Sequence, residues 1–360
     1  MDVNNRIRLE INEENYGGLT PYIIQDEVTD LDYNGRYLWI GMTNGTRKRI
    51  ANIVIKEEFV EQFTHRIANL VNQPFNQSNV LLEAETECLR ISILHESVAI
   101  SGRSISIRKS PVGIRMSEEE AVEHHFCDQP IMNFLVNGVI SHQNIVFCGE
   151  PGVGKTECVK FFSKYIPEAE RIITIEDNLE LHFEGIYPER DCVSLKVSKE
   201  RLNYEQAIKA SLRQNPAWII LSEARSREVK YLLEVWSTGV SGFTTLHTDD
   251  VRKIPDRIQN MMEIGRDADR LENQIFEFVR IGVLIRRKMV NGKNIRMIDQ
   301  VGIFYRDKGV NSIFMVAENG ILQEKSLPAP LMISFERAGI RDPFERNDNL
   351  KQEEMHKWFR

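Results

Sequence analysis

The sequence predicts an α/β protein in two parts: a parallel-sheet domain that carries a glycine-rich loop, preceded by a smaller α+β domain. From about residue 144, apolar runs alternate with helical stretches, the pattern of a parallel sheet with crossover helices. The glycine-rich segment GEPGVGKT lies between one such run and the following helical stretch. Before about residue 108 the chain instead has short segments of alternating polarity, which favour an antiparallel sheet.

Length and composition are those of an ordinary globular protein. The 360 residues exceed the usual length of one domain, so two domains are expected. Hydrophobic residues make up 42% of the chain and charged residues 28%. The formal net charge of -7 argues against a protein that coats nucleic acid, because such proteins carry a basic excess.

The cysteines and the N-terminus bear on location. The five cysteines have no paired short spacing of the zinc or redox kind, so we expect reduced thiols in a cytosol and no zinc site. No run of 18 apolar residues occurs, and the N-terminal MDVNNRIRLEINEEN carries charges where a signal peptide is apolar. We therefore expect a soluble, cytoplasmic protein that reaches a membrane only through partners.

The first predicted domain covers residues 1–110. Its expected strands are YLWIGM, KRIANIVI, LRISILHESVAI and SISIRKS. Between them, Glu57 to Val71 has apolar residues at helical spacing, which predicts one amphipathic helix.

Residues 111–125 form the predicted linker, where Pro and Gly interrupt the pattern and Ser117 followed by Glu120 resembles a helix capping box. The second domain, 126–360, begins after it. Its expected strands are NIVFC, RIITI, WIIL and GFTTL, separated by helices near 155–165, 203–214 and 226–238. Further on, Asn291-Gly292 predicts a hairpin turn, and a proline-containing C-terminal extension ends in a charged helical stretch.

The glycine-rich loop fits the pattern GxxxxGK[ST], with a strand before it and a helix after it. Its backbone N–H groups would point at phosphate oxygens, the lysine would bind the β- and γ-phosphates, and the threonine hydroxyl would bind Mg²⁺. The sequence therefore predicts a site for ATP and Mg²⁺. The residues assigned to it are Gly149, Glu150, Pro151, Gly152, Val153, Gly154, Lys155 and Thr156.

Carboxylates follow two later strands of the same predicted sheet. Glu176, Asp177 and Glu180 come after RIITI, and Glu223 comes after WIIL. P-loop enzymes need an acid near Mg²⁺ and the attacking water, and the carboxyl ends of parallel strands meet at one crevice. Asp177 and Glu180, with the loop threonine, are the candidate Mg²⁺ ligands, partly through water. His247 ends the strand GFTTL and is a candidate hydrogen-bonding group beside the γ-phosphate.

The order of these motifs resembles the secretion traffic ATPase superfamily, which powers type II secretion, type IV secretion and type IV pilus machines. The four motifs are GEPGVGKT, TIEDNLEL, LRQNPAWIILSEAR and STGVSGFTTLHT. DEVTDLDYNGRYLWI and SGRSISIRKS resemble parts of that family's first domain. The resemblance implies a RecA-like ATPase domain after a PAS-like domain. It also implies a homohexameric ring in which ATP lies between the two domains.

The resemblance also implies roles for single residues. Glu176 and Glu223 are both candidates for orienting the water, and His247 would sense the γ-phosphate. Arg103 and Arg108 match the arginines that reach the nucleotide from the first domain. Three positions depart from the family pattern, because Ser222 and Val240 stand where Gly and His are usual and Ala217 replaces a common Asp.

Chain length and the absence of a four-cysteine motif favour the type IV secretion and conjugation branch. The implied partners are other copies of the chain and inner-membrane secretion or pilus components. Two alternatives remain: a type IV pilus or type II secretion assembly motor with the same ATPase core, and a nucleic-acid-handling switch. The acidic charge speaks against nucleic acid as a direct ligand.

Overall fold

A computed structural model describes residues 7–51, 53–198, 201–262, 268–290 and 293–346. The chain divides into two compact units, and the main boundary lies between Val112 and Gly113. No helix in the described ranges is long and apolar enough to cross a membrane.

The first unit is built on a six-stranded sheet in the order β3-β2-β1-β6-β5-β4, and the register recorded for each neighbouring pair is antiparallel. An antiparallel sheet was predicted here and is confirmed. The strands are β1 (Val28–Tyr33), β2 (Leu38–Met42), β3 (Arg47–Arg49), β4 (Leu81–Glu85), β5 (Leu89–Leu94) and β6 (Ser104–Lys109).

Within the described part of the first unit, three helices complete the fold: α1 (Glu13–Tyr16), α2 (Thr20–Ile23) and α3 (Glu57–Val71), with a short 3-10 helix at Gly17–Leu19. The predicted amphipathic helix is confirmed in α3, whose Val60, Phe63 and Ile67 are buried in the core of this unit. The helix ends at Asn72, which adopts a left-handed conformation with φ 53°.

Some predicted strands of the first unit are shorter than expected. Among the described residues of KRIANIVI, only the start forms a strand, since β3 ends at Arg49. LRISILHESVAI ends as a strand at Leu94 because His95 begins a turn, in which the Ser97 N–H donates to the His95 ring at 3.0 Å. The strands β1 and β4 were not predicted.

The second unit is built on a nine-stranded mixed sheet in the order β15-β14-β13-β12-β7-β11-β10-β8-β9. From β12 to β9 every neighbouring pair is parallel, which confirms the predicted parallel sheet. β14 is antiparallel to both β13 and β15. The strands are β7 (Ile145–Cys148), β8 (Ile172–Glu176), β9 (Cys192–Lys196), β10 (Trp218–Leu221), β11 (Ser241–Leu246), β12 (Ile281–Val290), β13 (Lys293–Asp307), β14 (Val310–Glu318) and β15 (Ile321–Leu322).

Helices connect and cover these strands, with two further 3-10 helices at Leu212–Gln214 and Val251–Lys253. The capping box predicted at Ser117 and Glu120 is present at the start of α4. The helices are α4 (Glu118–Glu123), α5 (Gln129–Ile140), α6 (Lys155–Ser163), α7 (Phe183–Ile186), α8 (Tyr204–Ser211), α9 (Glu228–Trp236), α10 (Ile254–Met261), α11 (Ala268–Phe278) and α12 (Ala329–Arg337).

Two hydrophobic clusters cover the two faces of the parallel strands. In β7, Ile145 and Phe147 belong to one cluster, whereas Val146 and Cys148 belong to the other. Because both faces are covered, β7, β10 and β11 are buried along their whole length. This burial explains why β7 and β10 read as continuous apolar runs, whereas β11 also buries Ser241 and two threonines.

A C-terminal segment is tied to α5 by two buried asparagines. Asn137 Nδ2 donates to the carbonyl oxygens of Pro343 at 2.8 Å and Glu345 at 2.9 Å, and Asn133 Nδ2 donates to that of Phe344 at 3.0 Å. The predicted hairpin turn at 291–292 and the charged stretch at the C-terminus lie outside the described residues.

Candidate active site

The glycine-rich loop turns from the end of β7 into α6. Gly149, Gly152 and Gly154 have φ values of 145°, 72° and 104°, which residues other than glycine rarely adopt. At Gly149 a Cβ would also lie 2.3 Å from the carbonyl oxygen of Ile285 on β12. Val153 is buried in the core, while Glu150 and Pro151 are exposed. The loop therefore packs against the sheet at two points, at Gly149 beside β12 and at Val153 in the core.

Lys155 begins α6, and its side chain is buried. Its Nζ donates to the carbonyl oxygens of Gly149 at 3.1 Å and Glu150 at 3.0 Å, and it lies 3.2 Å from Nδ1 of His247. The ammonium is therefore inside the loop, where it faces the end of β11.

His247 and Glu223 meet next to this lysine. Nε2 of His247 is 3.0 Å from Oε1 of Glu223. The assignment that satisfies both contacts places a proton on Nε2, which donates to Glu223, and leaves Nδ1 to accept from Lys155. Nδ1 is also 3.2 Å from the Gly149 carbonyl oxygen, which in this tautomer is a close contact and not a hydrogen bond. Lysine, imidazole and carboxylate thus form one connected chain of contacts.

Arg225 holds Glu223 from the other side. Its Nη2 is 2.8 Å from Oε2 of Glu223, and its Nη1 is 2.6 Å from Oδ2 of Asp177. Burial alone would raise the pKa of Glu223, but the hydrogen bond and charge of Arg225, with the neighbouring His247 and Lys155, outweigh burial and lower it. Glu223 is therefore held as a carboxylate beside the lysine.

Glu176 has a different environment, although it was predicted as an equal candidate. Its side chain is 1% exposed, and Oε2 accepts from the backbone N–H groups of Glu180 at 2.9 Å and Leu181 at 3.0 Å. Burial raises its pKa to about 7, against the opposing effect of these two hydrogen bonds. The described contacts of Glu176 thus fix the turn that follows β8.

That turn brings Glu180 to the loop threonine, since Thr156 Oγ1 is 3.3 Å from Oε2 of Glu180. A hydroxyl and a carboxylate are oxygen ligands of the kind that Mg²⁺ prefers, so this pair fits the ion. Asp177 is paired with Arg225, which leaves it less suited to a metal. No cluster of three or more His, Cys, Asp or Glu suited to a metal occurs within the described ranges.

The two predicted arginines of the first unit have partners in that unit. Arg103 donates to both oxygens of Glu96, at 2.8 and 2.9 Å, and its guanidinium lies 5.5 Å from the ring centre of Phe75. Arg108 lies on β6, half exposed, with Nε 4.0 Å from Asp30.

Sequence reasoning missed a residue at the loop itself. Arg287 on β12 donates from Nη2 to the carbonyl oxygen of Gly152 at 2.6 Å. In the sequence, the run RRK at the end of a predicted strand is typical of a solvated, charged strand end. The signal that could have identified Arg287 was its position in the strand that follows the last crossover helix.

A loop of this type, set between a buried parallel strand and a helix with its lysine turned inward, defines the second unit as a P-loop domain of α/β type. A family model described as "Type II/IV secretion system protein" matches residues 77–320, more than half of the chain. The chain belongs to this family, which confirms the superfamily resemblance carried by the four motifs.

Two relatives show how far the similarity extends along the chain. An uncharacterized protein of Bacillus anthracis is 28% identical over 278 residues, which are 76% of this chain and 62% of that protein. Protein VirB11 of Rhizobium radiobacter is 36% identical over 136 residues, which are 36% of this chain and 38% of that protein. The chain thus spans less than two thirds of the length of either relative.

The fold is similar to that of the Yersinia pseudotuberculosis ATPase DotB, known from an X-ray structure. The TM-score is 0.61 at 15% identity, over 81% of this chain and 80% of that chain. At this identity the comparison shows the fold alone, an α/β fold with a mixed sheet.

Proposed function

We propose that this chain binds ATP with Mg²⁺ at the loop Gly149–Thr156 and hydrolyses it to power a type IV secretion or conjugation machine. The observation that carries the proposal is the chain of contacts from Lys155 through His247 to Glu223, at 3.2 and 3.0 Å. These contacts join the lysine of the P-loop pattern, an imidazole and a carboxylate whose pKa is lowered, which supports the proposal.

In the proposed reaction Glu223 orients the attacking water. It is the better candidate of the two predicted acids, because its pKa is lowered and it touches His247, whereas Glu176 is buried against backbone N–H groups. His247 Nε2 donates to Glu223 in the assigned tautomer, which fixes the carboxylate and leaves the imidazole in reach of Lys155. Lys155 and the backbone N–H groups of the loop would stabilise charge on the phosphates.

For the metal, Thr156 and Glu180 would hold Mg²⁺, directly or through water, and we retain Asp177 as a third, outer contributor. Bound with the nucleotide, Mg²⁺ would neutralise charge on the β- and γ-phosphate oxygens.

The finer assignments rest on the resemblance. We propose a homohexameric ring at the cytoplasmic face of the inner membrane, bound to inner-membrane secretion components, with Arg103 and Arg108 contributing to the nucleotide site. We also propose domain limits of 1–110, 111–125 and 126–360, and a PAS-like first domain. The similarity to VirB11 supports the type IV branch.

Measuring ATP turnover of four proteins tests the proposal. Lys155→Ala and Glu223→Gln should each lose at least about a hundredfold in turnover, because the first removes the cation that stabilises phosphate charge and the second removes the carboxylate that orients the water. Glu234→Gln, an exposed change on α9, should match wild type. Equal low rates in wild type and Lys155→Ala would refute hydrolysis and point to a scaffold.

Assembly and partner class need separate measurements. Native mass at micromolar protein with Mg-ATP should show a hexamer, and a strict monomer would contradict the ring. The second candidate, a type II secretion or pilus assembly motor, is kept because the matched family description covers both type II and type IV systems. Strong stimulation of turnover by DNA without ring assembly would favour the nucleic-acid switch instead.

A further inference from the structure

Two arginines outside the predicted site lie along the loop. β12 runs parallel to β7, with Leu284 opposite Cys148, so its next residues pass beside the loop that follows β7. Arg287 is one of these. Alternation along the strand places it on the same face as Ile285, and Arg286 on the opposite face.

Arg296 reaches the loop from the adjacent strand, β13. A Cβ on Gly154 would lie 4.0 Å from Cδ of Arg296, and one on Gly152 would lie 2.9 Å from Nη2 of Arg287. The two arginines therefore lie beside two different glycines of the same phosphate loop.

The charges around Arg296 are mostly of its own sign. Burial, followed by the nearby charges of Arg287 and Arg115, lowers its pKa, and the opposing effect of Glu157 is smaller. Glu157 itself pairs with the buried Lys160 at 3.2 Å. The N-terminus of α6 adds a further partial positive charge here. Holding like charges together costs free energy unless an anion compensates it.

Both guanidinium groups also keep hydrogen-bonding capacity. The Nε atoms of Arg287 and Arg296 are buried and have no hydrogen-bond partner among the described residues. Buried donors are normally paired, and an unpaired one in a native fold calls for an explanation, of which a bound water or ion is one. A guanidinium is suited in shape to phosphate oxygens.

We propose that Arg287 and Arg296 form a second, cationic side of the nucleotide site and bind phosphate oxygens of the nucleotide. Arg287 also positions the loop through the Gly152 carbonyl oxygen. This inference rests on the proposed nucleotide site and adds to it two residues from β12 and β13.

Calorimetric titration of the full chain with ADP, and separately with inorganic tripolyphosphate, tests the proposal. Arg287→Gln and Arg296→Gln should each weaken binding of both ligands about tenfold, because each removes a charge-assisted hydrogen bond. Both should also show a shallower dependence of affinity on salt. Arg296→Lys should recover part of the loss. The matched control Arg306→Gln, exposed on the same strand β13, should bind as wild type does.

Unfolding measured without ligand separates a binding role of Arg296 from a structural role. Arg296→Gln relieves like-charge repulsion, so its unfolding midpoint in urea should equal or exceed that of wild type. A lowered midpoint, or wild-type affinity for both ligands in Arg296→Gln, would overturn the inference. If Lys155→Ala loses binding while both arginine variants keep it, only this inference fails. If wild type and Lys155→Ala bind equally, the proposed function fails as well.

Discussion

Glu223 accepts a hydrogen bond from Arg225, with Oε2 2.8 Å from Nη2, and the same guanidinium reaches Asp177 at 2.6 Å. The carboxylate proposed to orient water is thus held from one side by a charged arginine and from the other by His247. Its ionisation depends on both neighbours.

The first prediction concerns this dependence. Arg225→Gln removes the strongest influence that lowers the pKa of Glu223, so burial should then raise that pKa. Because the carboxylate is the proposed active form, the acid limb of the pH–turnover profile should move to higher pH. Arg227→Gln, two residues further along the chain, is the matched control. An unchanged acid limb in Arg225→Gln would show that Glu223 does not set it.

The second prediction concerns Glu176 and stability. The pKa of Glu176 rises from 4.5 to about 7 on folding. The stabilising contribution of its protonated form is therefore complete below pH 4.5 and is lost as pH rises through about 7. At about 1.4 kcal/mol per pH unit, this difference corresponds to at most about 3 kcal/mol. Glu176→Gln should therefore be more stable than wild type at pH 8, and the difference should shrink towards pH 5.

Urea unfolding at pH 5, 6, 7 and 8 measures this effect, with Glu234→Gln as the exposed control. If the difference in free energy of unfolding between Glu176→Gln and wild type stays constant across this pH range, the raised pKa of the Glu176 carboxyl is contradicted.

Sequence reasoning could place Glu176 and Glu223 at strand ends, but it could not rank them. The ranking depends on the N–H groups of Glu180 and Leu181, which turn back onto Glu176, and on Arg225, which reaches Glu223. These contacts are set by turns after the strands, whose geometry leaves no periodic signal in the sequence.

The third prediction concerns the base of the loop. In Gly149→Ala the new methyl group would meet the Ile285 carbonyl oxygen at 2.3 Å, in addition to an unfavourable φ. We expect a loss of about 2 kcal/mol or more in the free energy of unfolding, with weaker ADP binding. Gly239→Ala, where φ is 94° and nothing lies within 4 Å, isolates the backbone cost of about 1 kcal/mol. Equal losses in the two variants would show that Ile285 yields without cost.

The fourth prediction separates two roles of Arg103. Its bidentate pair lowers the pKa of Glu96 to about 2, so the pair should stabilise the first unit above pH 4.5 and lose this effect as pH falls towards 2. Glu96 is about half exposed, which limits the effect to about 1 kcal/mol. Arg103→Ala and Glu96→Gln both break the pair.

The resemblance predicts that only Arg103→Ala lowers ATP turnover, because only it removes a group assigned to the nucleotide. Measurements of unfolding and of ATP turnover on both variants test whether Arg103 acts on the nucleotide. Matching turnover in Arg103→Ala, Glu96→Gln and wild type would confine Arg103 to a structural role.

The fold was more predictable in the second unit than in the first. Strands such as β7 and β10 are buried on both faces and read as apolar runs, whereas β1 carries Asp30 and Asp32 between its buried residues. Those aspartates are partly exposed and pair with Arg108 and Arg47. A strand whose outer face is charged shows only a weak period of two, so VTDLDY gave no clear signal.

The buried asparagines of α5 bear on when the second unit can finish folding. Asn137 lies early in this unit, yet its two acceptors are the carbonyl oxygens of Pro343 and Glu345. During synthesis, α5, the loop and the whole parallel sheet leave the ribosome before these partners exist. The Asn137 amide therefore lacks its native acceptors until residue 345 has been synthesised, so α5 gains these two hydrogen bonds only after the parallel sheet.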